Sequence, residues 1–243
     1  MPAFLDLHSH VVPSGDDGVS STAEGLELCR EAARRGTAVL YGTPHVWPAE
    51  GLSTAREQTV REAYEFMAPV ASTAGLELRL GFELTPSSAL LDEDLDRYAL
   101  EGLDIPSVLV EFPFTGGLEL TRAVAEHAEV CGLRPILAHP ERAEAICEAP
   151  DRLRAFVERG WLVHVNGSSL TGYHGPEPYE LGWWFLELGL ATLVGSDGHR
   201  PSRPPFLDAA YRAARSRLGD RADALFDGSA LAHRDAVDLA QRR

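Results

Sequence analysis

Short apolar runs alternate with amphipathic stretches along almost the whole chain, and this alternation constrains the fold more than any other feature. The runs occupy residues 4–7, 37–41, 76–82, 107–110, 134–138, 161–165 and 191–195. Between them lie helical segments such as 22–35, opened by the capping-box pair Ser21 and Glu24 and closed by Gly36, and 55–74, followed by Gly75. Strands alternating with helices predict a parallel α/β sheet whose right-handed crossovers can close it into a barrel. Seven such units are countable, one short of the eight of a TIM barrel. The chain beyond Pro205 reads as helical and is expected to pack on the outside. Its 243 residues, 44% of them hydrophobic, suit one domain spanning 1–243.

Charge and composition narrow the partners. Acidic residues outnumber basic ones by 37 to 22, a formal net charge of −15. Such a surface repels polyphosphate backbones, so nucleic acid is not expected as a partner. No stretch approaches the length of an apolar spanning helix, and residues 1–7 lack the basic and apolar regions of a leader peptide. Cys29, Cys131 and Cys147 show no C-x-x-C spacing and read as reduced thiols, which points to the cytoplasm.

In parallel α/β barrels the working residues sit where strands end and the following loops begin. The first strand runs into His8-Ser9-His10, with Asp16-Asp17-Gly18 soon after. The second ends at Thr43-Pro44-His45, the third at Gly81-Phe82-Glu83 and the fourth at Glu111-Phe112-Pro113. The fifth ends at His139-Pro140-Glu141-Arg142 and the seventh at Ser196-Asp197-Gly198-His199. Only the sixth ends without an ionisable group, at Asn166. Alternate residues of a strand share a face, so His8 with His10, and Asp197 with His199, can each offer two side chains to one side. Imidazole with carboxylate suits zinc, iron or manganese, whereas calcium takes oxygen ligands. A single histidine at a strand end is more often a satisfied polar residue. Nine positions in phase with the strand ends predict a metal cluster, in which Glu83 can bridge two ions.

The remaining motifs carry less. His127 falls within the helix 118–130 and His233 near the C-terminus, both read as surface or packing residues. His164 shares a strand face with Asn166 and is a candidate for the barrel mouth, while His174 reads as solvated loop. Cys29 and Arg35 stand in the Cys-x5-Arg spacing of thiol phosphatases, but the intervening residues contain no glycine and belong to a helix whose N–H groups are already occupied. Cys29 is therefore expected to be a small core-facing hydrophobe.

The ordered set resembles the PHP (polymerase and histidinol phosphatase) superfamily, and within it the bacterial capsule-type protein-tyrosine phosphatases. The resemblance runs from Asp6-Leu7-His8-Ser9-His10 to Arg203-Pro204-Pro205. It includes Asp16-Asp17-Gly18, His139-Pro140-Glu141-Arg142 and Val165-Asn166-Gly167-Ser168-Ser169-Leu170. It implies a distorted, TIM-barrel-like (β/α)7 barrel with three divalent ions, commonly manganese, with iron and zinc as alternatives. By the resemblance, His8, His10, Glu83 and Asp197 hold the first ion, and Glu83, Glu111 and His139 the second. Asp17, His45 and His199 hold the third, and Asp16 is a turn residue or an acceptor behind the ligands. Arg142 and Arg203 match phosphate-binding arginines, a role that suits the guanidinium fork. Two departures stand out: Gly167 where a small side chain is usual, and the lack of an Asn-Pro turn in residues 226–237.

The implied reaction is single-step hydrolysis of a phosphomonoester by a hydroxide bridging two ions, with no covalent enzyme intermediate. The implied substrate is phosphotyrosine in a protein, with a bacterial tyrosine kinase as partner. Two other readings stay open on the residues alone: a phosphatase of a small metabolite such as histidinol phosphate, and a non-catalytic metal-stabilised binding module.

Overall fold

The first strand, β1 (Phe4–Asp6), is followed by α1 (Thr22–Arg34), β2 (Thr37–Gly42) and β3 (His45–Val46) in a computed structural model that describes residues 2–47 and 53–232. Next come α2 (Thr54–Ser72), β4 (Glu77–Leu80), β5 (Glu83–Leu84), β6 (Ser107–Glu111) and α3 (Glu119–Val130). The order ends with β7 (Arg134–Ala138), β8 (Leu162–Asn166), a helix Pro176–Glu187, β9 (Leu193–Gly195) and a helix Asp208–Leu218. The alternation expected from the sequence is present, and the described chain past Pro205 is mostly helical over residues 208–232. His233, and residues 233–237 of the segment without an Asn-Pro turn, lie outside the described residues.

All strand pairs are parallel, but they fall into two sheets, ordered β1-β2-β4 and β3-β5-β6-β7-β8-β9. The single sheet of seven uninterrupted strands is corrected in this respect. The second and third predicted strands are each split, at Thr43-Pro44 and at Gly81-Phe82, so β3 and β5 continue β2 and β4 in the other sheet. Pro44 has no N–H to offer a ladder. Single bonds carry the pairing across the break, from Gly81 N–H to Gly42 O (3.0 Å) and from Glu83 N–H to Pro44 O (3.2 Å).

Alternation along the strands sorts two apolar layers. Val108 and Val110 of β6, Leu137 of β7, and Val163 and Val165 of β8 join the large cluster that includes Cys29, Ala32, Val124 and Phe185 from the helices. Leu109, Ile136, Ala138 and Leu162 point the other way, into a smaller cluster shared with Leu7, Tyr41 and Leu193. Both sheets thus contribute to one inner cluster. By the period of two, Glu111 continues the inner face of β6, and His164 and Asn166 continue that of β8.

Local signals place the helices. Ser21 Oγ accepts the Glu24 N–H (3.3 Å) as expected, and the Glu24 carboxylate reaches back one residue further than a capping box requires, to the Ser20 N–H (3.0 Å). Ser53 caps α2 through the Arg56 N–H (3.2 Å). No helix among the described residues is long and apolar enough to cross a membrane.

Candidate metal centre

Outward-turned neighbours aim the ligand pairs inward. Ser9 donates its hydroxyl to Tyr41 O (2.6 Å) and its N–H to Thr43 Oγ1 (3.2 Å), which leaves His8 and His10 on the opposite side, both fully buried. The stretch after β9 lies alongside, with a parallel bridge between Ser9 and Gly198. His10 N–H donates to Gly198 O (2.7 Å) and Asp197 N–H to His8 O (2.9 Å). Glycine is needed at 198, since a Cβ there would sit 2.4 Å from the Pro205 backbone, and at Gly18, where it would meet His10 O at 2.5 Å.

Asp6 ties the two stretches together, accepting the N–H groups of His8 (3.3 Å) and Ser196 (2.9 Å) on one carboxylate oxygen. Among the described residues, His139 (φ 41°) and Asp197 (φ 52°) are the non-glycine residues in the left-handed region. Backbone strain of this kind gathers where the surrounding structure holds a functional side chain in place.

Glu83 is the hub. One oxygen lies 3.0 Å from His139 Nε2, and the other lies 3.0 Å from His8 Nε2, 3.3 Å from His10 Nε2 and 3.2 Å from His45 Nδ1. Burial alone would raise its carboxyl, but the surrounding histidines hold it well below the usual range. Glu111 accepts from Thr85 Oγ1 (2.8 Å) and is pushed up to about 7 by burial and by the Glu83 charge. Asp17 lies 3.2 Å from His199 Nε2 and 3.7 Å from His45 Nε2, and its contact with His199 lowers it to about 2.

Four groups of ligand atoms lie within 4.8 Å of one another: His10, Asp17, His45 and His199; His8, His10 and Asp197; His8, Glu83 and His139; and His45, Glu83 and Glu111. All nine sequence-predicted ligands fall in these groups. The grouping cuts across the expected three-ion partition, because His10 also lies with the Asp17 set, and Glu111 groups with His45 rather than His139.

The donor chemistry fits divalent cations. His8 Nε2 and His10 Nε2 face each other at 3.2 Å across two carboxylates, His139 Nε2 lies 3.0 Å from Glu83, and the other Glu83 oxygen is buried without a well-formed hydrogen bond. Such converging acceptor-rich atoms are costly to bury unless a cation satisfies them.

Behind the candidate ligands sit residues that local sequence patterns announce only in part. Asp16 accepts from His10 Nδ1 (3.0 Å) and from the backbone N–H groups of Gly18 (3.0 Å) and His45 (3.1 Å), the acceptor role expected of it. The sixth predicted strand, read as ending without an ionisable group, in fact brings one to the cluster. His164 is fully buried with Nε2 2.9 Å from His8 Nδ1, so it backs a ligand rather than lining the mouth. Asn166 Nδ2 donates to Asp197 (2.8 Å), and Glu141 accepts from the Asn166 N–H (3.0 Å) and the Ser169 hydroxyl (2.7 Å). The period-two pair His164-x-Asn166 was the available signal.

Arg142 and Arg203 flank the cluster, each donating to a different oxygen of Asp197 at 2.8 Å. Arg203 also lies 2.9 Å from His199 Nε2. His127 Nε2 donates to Glu93 O (2.7 Å) as a packing residue, and His174, half-buried, pairs with Ser168 Oγ (2.8 Å) rather than standing in solvent. Cys29 is fully buried in α1, its thiol pushed up to about 12 by burial, while Arg35 pairs with Glu31 (2.9 Å).

A family model described as capsular polysaccharide synthesis, CpsB/CapC, matches residues 4–228. The tyrosine-protein phosphatase YwqE of Bacillus subtilis is 29% identical over 205 residues, covering 81% of this chain and 77% of its own length. The tyrosine-protein phosphatase CpsB of Streptococcus pneumoniae is 26% identical over 235 residues, covering 89% and 91%. A solved structure from work on those two proteins, described as unique metal-dependent tyrosine phosphatases, superposes with a TM-score of 0.81 at 25% identity, covering 93% of this chain and 92% of that one.

Proposed function

The chain belongs to the CpsB/CapC family of capsular polysaccharide synthesis, and from that premise we propose that it is a metal-dependent protein-tyrosine phosphatase. The observation that carries this reading is the buried Glu83 carboxylate, within 3.3 Å of four histidines, in a chain whose relatives are named tyrosine-protein phosphatases. His8, His10, Glu83 and Asp197 would hold one ion, Glu83, Glu111 and His139 a second, and Asp17, His45 and His199 a third. Manganese is favoured, with iron and zinc also suited to this mixture of imidazole and carboxylate. Divalent ions bound there supply Lewis-acid stabilisation of phosphoryl oxygens and lower the pKa of water toward neutrality.

The protein's own part is placement. Arg142 and Arg203 grip phosphoryl oxygens and offset the charge that grows on them during hydrolysis. Asn166 and the two arginines keep Asp197 oriented, while His164 backs His8 and Asp16 backs His10. Cys29 takes no part, since its thiol is buried and its ionisation is suppressed.

The architecture that suits this site is a closed, distorted (β/α)7 barrel. The Ser9–Gly198 bridge and the inner cluster shared by both sheets support that closure. A phosphotyrosyl protein is the expected partner, with a bacterial tyrosine kinase as the foremost candidate and the cytoplasm as the site of action. The discriminating experiment compares kcat/KM of the manganese-loaded protein on a phosphotyrosyl peptide and on histidinol phosphate. Preference for the peptide is expected. Preference for histidinol phosphate would move the assignment to a small-metabolite phosphatase, and no turnover of either would leave a metal-stabilised binding module.

A further inference from the structure

Phe114 stands just beyond β6 with 47% of its surface exposed. Scattered exposed apolar side chains are normal, and most of the others here fit that description. Phe66, Leu120, Val130 and Tyr179 lie on helices, and Tyr173 contacts only the ring of His174 among the aromatic pairs. Phe114 differs in its neighbours. Its ring centroid lies 5.8 Å from that of His139, a candidate metal ligand, and the Arg142 guanidinium carbon lies 4.4 Å from the ring centre.

The loop that carries it is held on both sides. Phe112 is fully buried against Phe156 (5.5 Å), and Phe114 O accepts the Glu144 N–H (2.9 Å) from the segment that follows Arg142. A partly exposed aromatic ring is therefore fixed beside both a ligand and a phosphate-gripping arginine. Aromatic rings stack favourably when offset or tilted, and a ring already held in place loses little freedom on doing so.

We propose that Phe114 is a specificity-determining residue, the platform on which the aromatic group of an aryl phosphate stacks while Arg142 holds its phosphoryl oxygens. This rests on the phosphatase reading above. The same ring also supports Arg142 through its π-face, so the test must separate a contact to the ester group from a contact to the arginine. Inorganic phosphate does so, because it engages the arginine and has no aromatic group.

The experiment measures, for the manganese-loaded wild type, Phe114→Leu and Phe114→Trp, kcat/KM on a phosphotyrosyl peptide and the inhibition constant of inorganic phosphate. Phe114→Leu is expected to lower kcat/KM by about 2- to 12-fold, the range of a lost aromatic pair. It should leave phosphate inhibition unchanged, and Phe114→Trp should retain near wild-type kcat/KM. A parallel weakening of phosphate inhibition would mean that the ring serves only to position Arg142, and unchanged kcat/KM in Phe114→Leu would mean that it serves neither; both overturn the inference while leaving the phosphatase reading intact. Failure of the wild type itself to hydrolyse the peptide would remove that reading, and the inference with it.

Discussion

At the two strand ends that lie side by side, the candidate ligands owe their direction to serine neighbours one residue away. Ser9 turned onto Tyr41 and Thr43 leaves His8 and His10 facing inward, and Ser196 bonded to His8 O (3.1 Å) stands beside the left-handed Asp197. At this scale two predictions follow from the site. Arg142→Ala or Arg203→Ala should lower kcat/KM on a phosphotyrosyl peptide by roughly 10- to 150-fold, the value of a lost hydrogen bond to a charged group. Steady-state kinetics would check it, and unchanged kinetics in both variants would mean that phosphate binds elsewhere. Cys29→Ser should keep most activity, and iodoacetamide should leave the native enzyme active, because a buried thiol pushed up to about 12 holds almost no thiolate near neutral pH. Inactivation by iodoacetamide would reopen the thiol route. That nine candidate residues would gather in one place was legible, because a strand end is itself a sequence feature. Their supports were not: His164 backs His8 from 156 positions away, and Glu141 holds Asn166 from 25 away, pairings that no local pattern announces.

At the scale of elements, the alternation of strand and helix was plain in the sequence, but its interruptions were not. Residues 76–82 read as one apolar strand, yet Gly81 and Phe82 separate β4 from β5. A Cβ at Gly81 would sit 2.4 Å from Leu100, a close approach that only the fold reveals. Asp6 shows how the elements are joined, since one oxygen serves the amides after β1 and after β9. Asp6→Ala would leave these two buried N–H groups unpaired, at a cost of about 1–3 kcal/mol each. Asp6→Asn keeps an acceptor oxygen and should lose less. Denaturant unfolding of the two variants would measure the difference, and equal stability would show that the carboxylate does not tie the strands.

For the molecule as a whole, charge and site point in opposite directions. The chain carries a net −15, and its cluster gathers four carboxylates, yet Arg142 and Arg203 stand together at that cluster. Net charge argues against nucleic acid as a partner but cannot show two cations focused on one carboxylate, because it says nothing of position. The central claim is that divalent ions held by the nine ligands, and not a thiol, carry phosphoester hydrolysis. The most direct measurement is turnover of a phosphotyrosyl peptide before and after exhaustive chelation, with metal content determined on the same samples. Activity should vanish as the metal is removed and return with added manganese, in wild type and Cys29→Ser alike, while Glu83→Ala should remain inactive. Turnover that persists in metal-free protein would contradict the account.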